Sequence, residues 1–247
     1  MKDFSENIAA EQTITIYGIS DLHLSISTPK PMDIFGAHWE NHAKRIAEAW
    51  DAKVKTSDIV LIAGDTSWAM KLNEALPDID YIISRPGRKI MIRGNHDYWW
   101  GRESTNKIQR MLGDGITLLN GTSTTINGIG IAGTRGWRLD DIGLEGPEHG
   151  DIRIFNREIA YLRRALENMP DSVSTKIVML HYPPFNLNLE SNEFREVLEE
   201  FGANILVYGH VHKGIGSYLE GDIDGIEYHL VAADHIGFQP KPIMKIT

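Results

Sequence analysis

Residues 89–97 read Lys-Ile-Met-Ile-Arg-Gly-Asn-His-Asp, a short apolar run that ends in a glycine and three polar side chains. The same arrangement recurs at residues 58–65, where Ile-Val-Leu-Ile-Ala precedes Gly64-Asp65. Short apolar runs that stop at glycine are typical of buried strands. Open α/β sheets bind ligands beyond the carboxyl ends of their strands. These two segments therefore predict an α/β sheet with a polar site at one edge.

Strand and helix patterns alternate on both sides of this pair. The predicted helices cover residues 38–53, 71–84 with an interruption at Pro77, 102–112, 155–169 and 191–201. The predicted strands cover residues 13–19, 58–63, 89–93, 116–120, 122–126, 129–134, 176–180 and 204–208. The first half is thus α/β. Asn127-Gly128 predicts a tight hairpin and the start of a second, more antiparallel layer, which strands near 217–219, 226–232 and 243–246 complete. Residues 135–153 predict a long surface loop.

Three further fragments place ligand-type side chains directly after a predicted strand. They are Asp21-Leu22-His23, His181 and Gly209-His210-Val211-His212. Residues i and i+2 of an extended chain point to the same side. If the strand geometry persists, Asp21 with His23 and His210 with His212 each form a two-donor metal claw.

Composition limits the chemistry. The 247 residues are 42% hydrophobic and 24% charged, as in soluble globular proteins, which predicts a single domain. The chain has no cysteine, so a metal must be held by nitrogen and oxygen donors. A net charge of −9 makes nucleic acid an unlikely partner. Short apolar runs and a mixed-charge segment 1–12 predict no membrane insertion and a cytoplasmic location. The sequence contains no pattern that indicates an oligomeric state.

In this order the five fragments resemble the calcineurin-like metallophosphoesterase superfamily, whose pattern is D-x-H, G-D, G-N-H-D/E, H and G-H-x-H. The matching stretch runs from Asp21 to His212, most of the chain. The resemblance implies an α/β fold of the α+β type in four layers, with two mixed β-sheets packed as a sandwich and flanked by helices, as one domain over residues 1–247. The sequence departs from the family pattern at Trp68, where the family commonly has Asp or Asn. We expect this to alter local loop packing and not the metal ligand.

The resemblance also implies a dinuclear metal centre. The ligands of one ion would be Asp21, His23, Asp65 and His212. Those of the other would be Asp65, Asn95, His181 and His210, so that Asp65 bridges the two ions. The implied ions are Mn or Fe, and imidazole with carboxylate donors also suits Zn, Co or Ni. Two carboxylates facing two divalent ions leave the site electropositive, which attracts phosphate.

The predicted reaction is hydrolysis of a phosphomonoester or phosphodiester, with a small phosphate ester as substrate. A hydroxide that bridges the metals would attack phosphorus. Asp65 counts as catalytic because it bridges the ions. His96 follows ligand Asn95 and would point toward the phosphate, so we assign it as the general acid, a role typically worth ~10²–10⁴ in rate.

Several side chains are candidate substrate contacts. Asn95 adjoins the phosphate position, and Tyr98 with Trp99 could form an aromatic wall beside the metals, although adjacent aromatic residues also simply pack in cores. Arg135 or Arg138 could clamp phosphate oxygens, or could face solvent or a salt bridge.

Two alternatives to a small-molecule phosphoesterase remain. One is a nuclease of the same superfamily, which the acidic balance disfavours. The other is a non-catalytic protein-binding scaffold on the same fold, which tends to lose ligands or the acid, whereas this chain keeps them all.

Overall fold

The computed structural model describes residues 13–139 and 152–246, apart from the side chain of Arg102. Most of the predicted loop at 135–153 and the segment 1–12 lie outside the described residues. Within the described part, no helix combines the length and apolar character needed to cross a membrane.

The first sheet has five strands among the described residues, in the order β11-β1-β2-β3-β4. These strands are β11 (Lys241–Ile246), β1 (Ile14–Ile19), β2 (Ile59–Ala63), β3 (Arg88–Ile92) and β4 (Ile116–Leu119). Strands β1 to β4 are parallel, and β11 is antiparallel to β1. Because consecutive parallel strands need crossovers, helices α1 (His42–Lys53), α2 (Leu72–Ile83) and α3 (Thr105–Leu112) connect them.

The second sheet has six strands in the described part, in the order β5-β6-β7-β8-β10-β9. They are β5 (Thr122–Ile126), β6 (Ile129–Thr134), β7 (Thr175–Leu180), β8 (Ile205–Tyr208), β10 (Ile226–Leu230) and β9 (Gly221–Ile223). The outer pairs are antiparallel and the central pairs parallel. Helices α4 (Ile152–Glu167) and α5 (Glu193–Glu200) connect the parallel strands. The predicted hairpin is confirmed, with Ile126 paired to Ile129 and Asn127 at φ 49°.

Alternation along the strands builds four layers. In β2, Leu61 points into a buried cluster shared with Ile131 and Met179 of the second sheet. Its neighbours Val60 and Ile62 point to the other side, toward a cluster that includes residues of α1 to α3. Residues of α4 and α5 form a third cluster against the second sheet. The predicted fold of two mixed sheets flanked by helices is therefore confirmed.

Three details of the predicted layout are wrong. The last strand, β11, pairs with β1 in the first sheet and does not complete the second layer. Residues 217–219 form no strand, and the edge strand lies at Gly221–Ile223. Helix α2 runs through Pro77 without ending. Burial of Ala75, Ile79 and Ile82 against the first sheet holds this helix together despite the missing N–H.

The two sheets meet beside the ends of β1 and β10. Ser20 N–H donates to Val231 O at 2.8 Å, and Ala233 N–H donates to Ser20 O at 2.9 Å. These bonds join the segment that leaves β1 to the segment that leaves β10. As a result, side chains from both sheets converge at one rim of the sandwich.

Candidate metal centre

Four predicted ligands lie in the left-handed region of backbone conformation. Asp21 has φ 54°, His23 has φ 47°, Asp65 has φ 53° and His210 has φ 69°. Such φ values are uncommon outside glycine and cost about 1–3 kcal/mol each. They persist only where the surrounding structure enforces them, and they cluster at functional sites. The strand geometry therefore ends before each motif.

This conformation removes the geometric basis of the predicted two-donor claws, and the claw of His210 with His212 is wrong, whereas His23 Nε2 still lies 3.9 Å from Asp21 Oδ1. The chain is not extended at Asp21, His23 or His210, so the i, i+2 rule does not apply. The side chains of His210 and His212 in fact separate: His210 Nδ1 lies 3.1 Å from Asn95 Oδ1, whereas His212 Nε2 lies 3.8 Å from Asp21 Oδ1. Each imidazole belongs to a different group of ligands.

The first group of ligands consists of Asp21, His23, Asp65 and His212. His23 Nε2 lies 3.9 Å from both Asp21 Oδ1 and Asp65 Oδ2. Metal bonds to nitrogen or oxygen are about 2.0–2.2 Å, so two ligand atoms of one ion lie at most about 4.4 Å apart. The separations given for this group fall within that limit, so these residues could hold one ion.

The second group of ligands consists of Asp65, Asn95, His181 and His210. His181 Nε2 lies 2.6 Å from Asn95 Oδ1 and 3.5 Å from Asp65 Oδ2. Asp65 Oδ2 thus lies within 3.9 Å of an imidazole of each group, that of His23 and that of His181. Its other oxygen, Oδ1, accepts the His96 backbone N–H at 2.8 Å.

The donor chemistry of these groups fits cations. His181 Nδ1 contacts the carbonyl of Ala63 at 2.9 Å and must donate to it, because a carbonyl only accepts. Its Nε2 then carries a lone pair that faces the Asn95 and Asp65 oxygens, which are acceptors too. In the first group, the buried Asp21 Oδ1 has no hydrogen-bond partner. Facing acceptors without a donor are costly unless a cation lies among them.

Burial shapes the protonation of these ligands. Burial, with the Asp21 and Asp97 carboxylates nearby, raises the pKa of Asp65 well above its ordinary value. Burial, reinforced by neighbouring imidazoles, lowers the pKa of His23 and of His181 well below theirs. His23 and His181 are therefore held neutral, which is the state that binds metal.

Asp97 joins the two loops that carry Asp65 and Asn95. Its Oδ2 accepts the backbone N–H of Asp65 at 2.9 Å and that of Gly94 at 2.8 Å. Its Oδ1 accepts the backbone N–H of Thr66 and the indole N–H of Trp99. These bonds give Asp97 a structural role, since they fix the two loops relative to each other.

Two motif glycines are needed because predicted ligands approach them closely. A Cβ at Gly209 would lie 2.6 Å from Asp21 Oδ2, and one at Gly64 would lie 2.8 Å from His181 Nδ1. Gly64 also has φ 90°, which strains any other residue. The glycine in G-D and in G-H-x-H is therefore a steric requirement of the ligand geometry.

His96 lies beside both groups. Its ring centroid is 5.6 Å from that of His23 and 4.4 Å from that of Trp68. Tyr98 Oη lies 3.4 Å from His96 Nδ1. The ring is thus packed between two aromatic side chains at the rim of the candidate centre.

The four aromatic and arginine side chains predicted as substrate contacts differ in their exposure. Tyr98 is 39% exposed beside His96, and its substrate role stays a prediction. Trp99 is 0% exposed and packs in the buried cluster that includes residues of α1 to α3. The predicted aromatic wall therefore does not include it. Arg135 and Arg138 are both buried, and Arg135 Nη2 lies 3.9 Å from Glu158 Oε1. For Arg135 the salt-bridged alternative fits.

Asp234 is a component of the site that the sequence analysis missed. Its Oδ1 accepts from His212 Nδ1 at 3.2 Å, and its Oδ2 accepts the Lys213 N–H at 3.0 Å. Burial opposes protonation of His212, but the bond to Asp234 and the nearby carboxylates outweigh it and raise the pKa of that imidazole. With Nδ1 bonded to Asp234, Nε2 of His212 is left to face Asp21. Asp234 follows a strand, as the other motifs do, and that signal could have found it.

We expect Asp234→Asn to weaken metal binding by ~10–100-fold, because carboxylates that orient a metal-binding imidazole typically contribute that much. Titration calorimetry with Mn measures the change. Glu227→Gln is the matched control, since Glu227 contacts His229 at 3.1 Å as another carboxylate–imidazole pair. Equal Mn affinity of Asp234→Asn and wild type would show that His212 is oriented without the carboxylate.

A family model described as calcineurin-like phosphoesterase matches residues 14–214, a span that holds every predicted ligand. The chain belongs to the calcineurin-like phosphoesterases. Metal dependence is a property of this family, and within the described residues Asp21, His23 and His212, and likewise Asp21, Asp65 and His181, could each hold an ion.

Other comparisons add fold-level likeness. A Gene 66 protein of Mycobacterium phage D29 is 35% identical over 83 residues, which are 33% of this chain and 40% of the phage protein. The chain thus aligns with about two fifths of that relative's length. The phosphopantetheinyl hydrolase of Mycobacterium tuberculosis is similar in structure, with TM-score 0.59, 13% identity and coverage of 94% of this chain and 96% of that one. TT1561 of Thermus thermophilus has TM-score 0.51, 14% identity and coverage of 83% and 86%.

Proposed function

We propose that this calcineurin-like phosphoesterase hydrolyses a small phosphomonoester or phosphodiester at a dinuclear metal centre, with His96 as the general acid. The observation that carries the proposal is the position of Asp65 Oδ2, which lies 3.9 Å from His23 Nε2 and 3.5 Å from His181 Nε2. One carboxylate oxygen between two ligand groups is the arrangement that a metal bridge requires.

The residues present have separate tasks in this proposal. Asp21, His23 and His212 would hold one ion, and Asn95, His181 and His210 the other, with Asp65 shared. Two bound divalent ions, Mn or Fe in our proposal, would polarise the phosphoryl oxygens and activate water. Asp97 keeps the loops of Asp65 and Asn95 at a fixed separation through its backbone hydrogen bonds.

The proton for the leaving oxygen would come from His96. An imidazole has an ordinary pKa of ~6.5, so it can donate a proton to a departing alkoxide near neutral pH. Packing against Trp68 and Tyr98 limits the rotation of the ring. Tyr98 would lie next to the leaving group, and Asn95 next to the phosphate.

The test is turnover of p-nitrophenyl phosphate and bis(p-nitrophenyl) phosphate by chelator-stripped protein after addition of Mn, Fe, Zn, Co or Ni. We expect turnover only with metal added, and two ions per chain by elemental mass spectrometry. A protein that binds two ions but turns over neither ester would favour the scaffold alternative. Digestion of single-stranded DNA would favour the nuclease.

A further inference from the structure

A cleft next to the first ligand group is not used by the chemistry above. It has a volume of about 520 Å³ and is formed by residues between β1 and α1, including Lys30, Met32, Trp39 and His42. This volume is within the ~300–1,000 Å³ of typical ligand sites. The cleft can therefore take a small organic group.

The walls of this cleft touch the metal ligands. The ring centroid of Trp39 lies 5.9 Å from those of both His23 and His212. His42 Nε2 lies 3.4 Å from the carbonyl oxygen of His23. The cleft therefore adjoins the first ligand group through Trp39 and His42.

Trp68 connects the cleft to the proposed acid. It stacks on His23 at 4.7 Å with an interplanar angle of 20°, and its centroid lies 4.4 Å from that of His96. Lys30 Nζ lies 3.2 Å from the centroid of the Trp68 ring. Since these separations are 3.2 Å and 4.4 Å, the ammonium lies no more than 7.6 Å from the His96 ring centroid.

The charge of Lys30 is available to a ligand. The side chain is exposed and makes no ion pair with a carboxylate in the part of the chain that the structure describes. Its contact with Trp68 is a cation–π contact, which orients the ammonium without neutralising it. Asp33 and Glu40 also line the cleft, so it disfavours a polyanion, and an anionic group would have to bind at Lys30 itself.

We propose that Lys30 and Trp68 form a subsite for an anionic group on the leaving-group side of the substrate. The substrate class is then a phosphate ester whose leaving group carries one further carboxylate or phosphate close to the scissile bond. The assignment of sides rests on the proposed function, because the acid His96 marks where the leaving group departs. Trp68 stands where the family commonly has Asp or Asn, and an aspartate there would repel such a group.

Two matched esters test this subsite. Phenyl phosphate and 3-carboxyphenyl phosphate differ by one carboxylate on the leaving group, and the measurement is the ratio of their kcat/KM values with Mn. We expect wild type to favour the carboxylated ester and Lys30→Met to lower that ratio about two- to fivefold, because an exposed ion pair typically contributes about 0.4–1 kcal/mol. Lys30→Arg should keep most of the preference.

Lys44→Met is the matched control. Lys44 is an exposed lysine on α1 whose Nζ lies 3.7 Å from Glu48. If Lys44→Met lowers the kcat/KM ratio as much as Lys30→Met does, the effect comes from the overall charge of the protein and the subsite is refuted. An unchanged ratio in Lys30→Met refutes it equally.

A binding measurement separates the subsite from the proposed function. Benzylphosphonate and 3-carboxybenzylphosphonate are not hydrolysed, and calorimetry on the Mn-loaded protein gives the ratio of their Kd values. If no ester is turned over but the Kd ratio depends on Lys30, the proposed function fails and the subsite stands. If turnover is normal and substitution of Lys30 changes neither the kcat/KM ratio nor the Kd ratio, the subsite is refuted and the proposed function stands.

Discussion

His96→Ala should keep its bound metals and lose ~10²–10⁴-fold in turnover of alkyl phosphates, the range that a general acid typically supplies. The substitution keeps the backbone N–H that donates to Asp65 Oδ1 at 2.8 Å, so the Asp65 carboxylate stays in place. Esters of p-nitrophenol should lose less, because their leaving group departs without a proton. The dependence of kcat on leaving-group pKa should therefore become steeper.

His235→Ala provides the matched removal of an imidazole. His235 contacts Glu220 at 3.4 Å and Tyr218, and lies outside both ligand groups. Metal content of all proteins is measured by elemental mass spectrometry before the kinetics. If His96→Ala hydrolyses an alkyl phosphate as fast as wild type, another group must supply the proton.

The ligand residues could be predicted from the sequence because their motifs combine two strong signals. A run such as residues 59–63 must be a buried strand, and the carboxyl ends of parallel strands share one edge. The structure brings Asp65, Asn95 and His181 together as expected. Which imidazole faces which group could not be derived from spacing, since the left-handed backbone at Asp21 and His210 breaks the strand rule.

Side chains that act without a motif escaped the sequence analysis. Trp99 directly follows Tyr98, yet its indole N–H bonds to the buried carboxylate of Asp97 and its ring lies in the core. Asp234 reaches His212 because β10 and β8, the strands that precede them, are neighbours in the second sheet although they are distant in sequence. The contact of Lys30 with Trp68 is likewise tertiary. Long-range contacts of this kind have no local periodicity that a sequence could display.

Asp65→Asn should remove metal binding in both groups and reduce turnover by at least ~10³-fold, because a metal centre contributes several kcal/mol to transition-state stabilisation and ~1.4 kcal/mol is tenfold in rate. Asparagine keeps the oxygen that accepts from the His96 N–H but loses the charge that the two proposed cations would share. Metal content should fall for both ions together. Retention of one fully occupied ion would show that Asp65 does not bridge.

Without metal, Asp65→Asn should be more stable than wild type even though it is less active. A gain in stability distinguishes the loss of metal binding from misfolding of the variant. Burial raises the pKa of Asp65 well above its ordinary value. A carboxyl whose pKa is raised on folding costs stability as the pH rises above the unfolded value of ~3.9, and the cost is complete once the pH exceeds the folded pKa. Asparagine carries no such cost.

Metal-free Asp65→Asn should therefore melt at a higher Tm than metal-free wild type at pH 7, and the difference should shrink as the pH approaches 4. Differential scanning calorimetry after chelation measures both. Added Mn should reverse the order at pH 7, because only wild type gains the stability of bound ligand, about 2.7 kcal/mol at a hundredfold excess over Kd. A variant that melts below wild type in the metal-free state at pH 7 would mean that the carboxylate is needed for folding as well as for the metals.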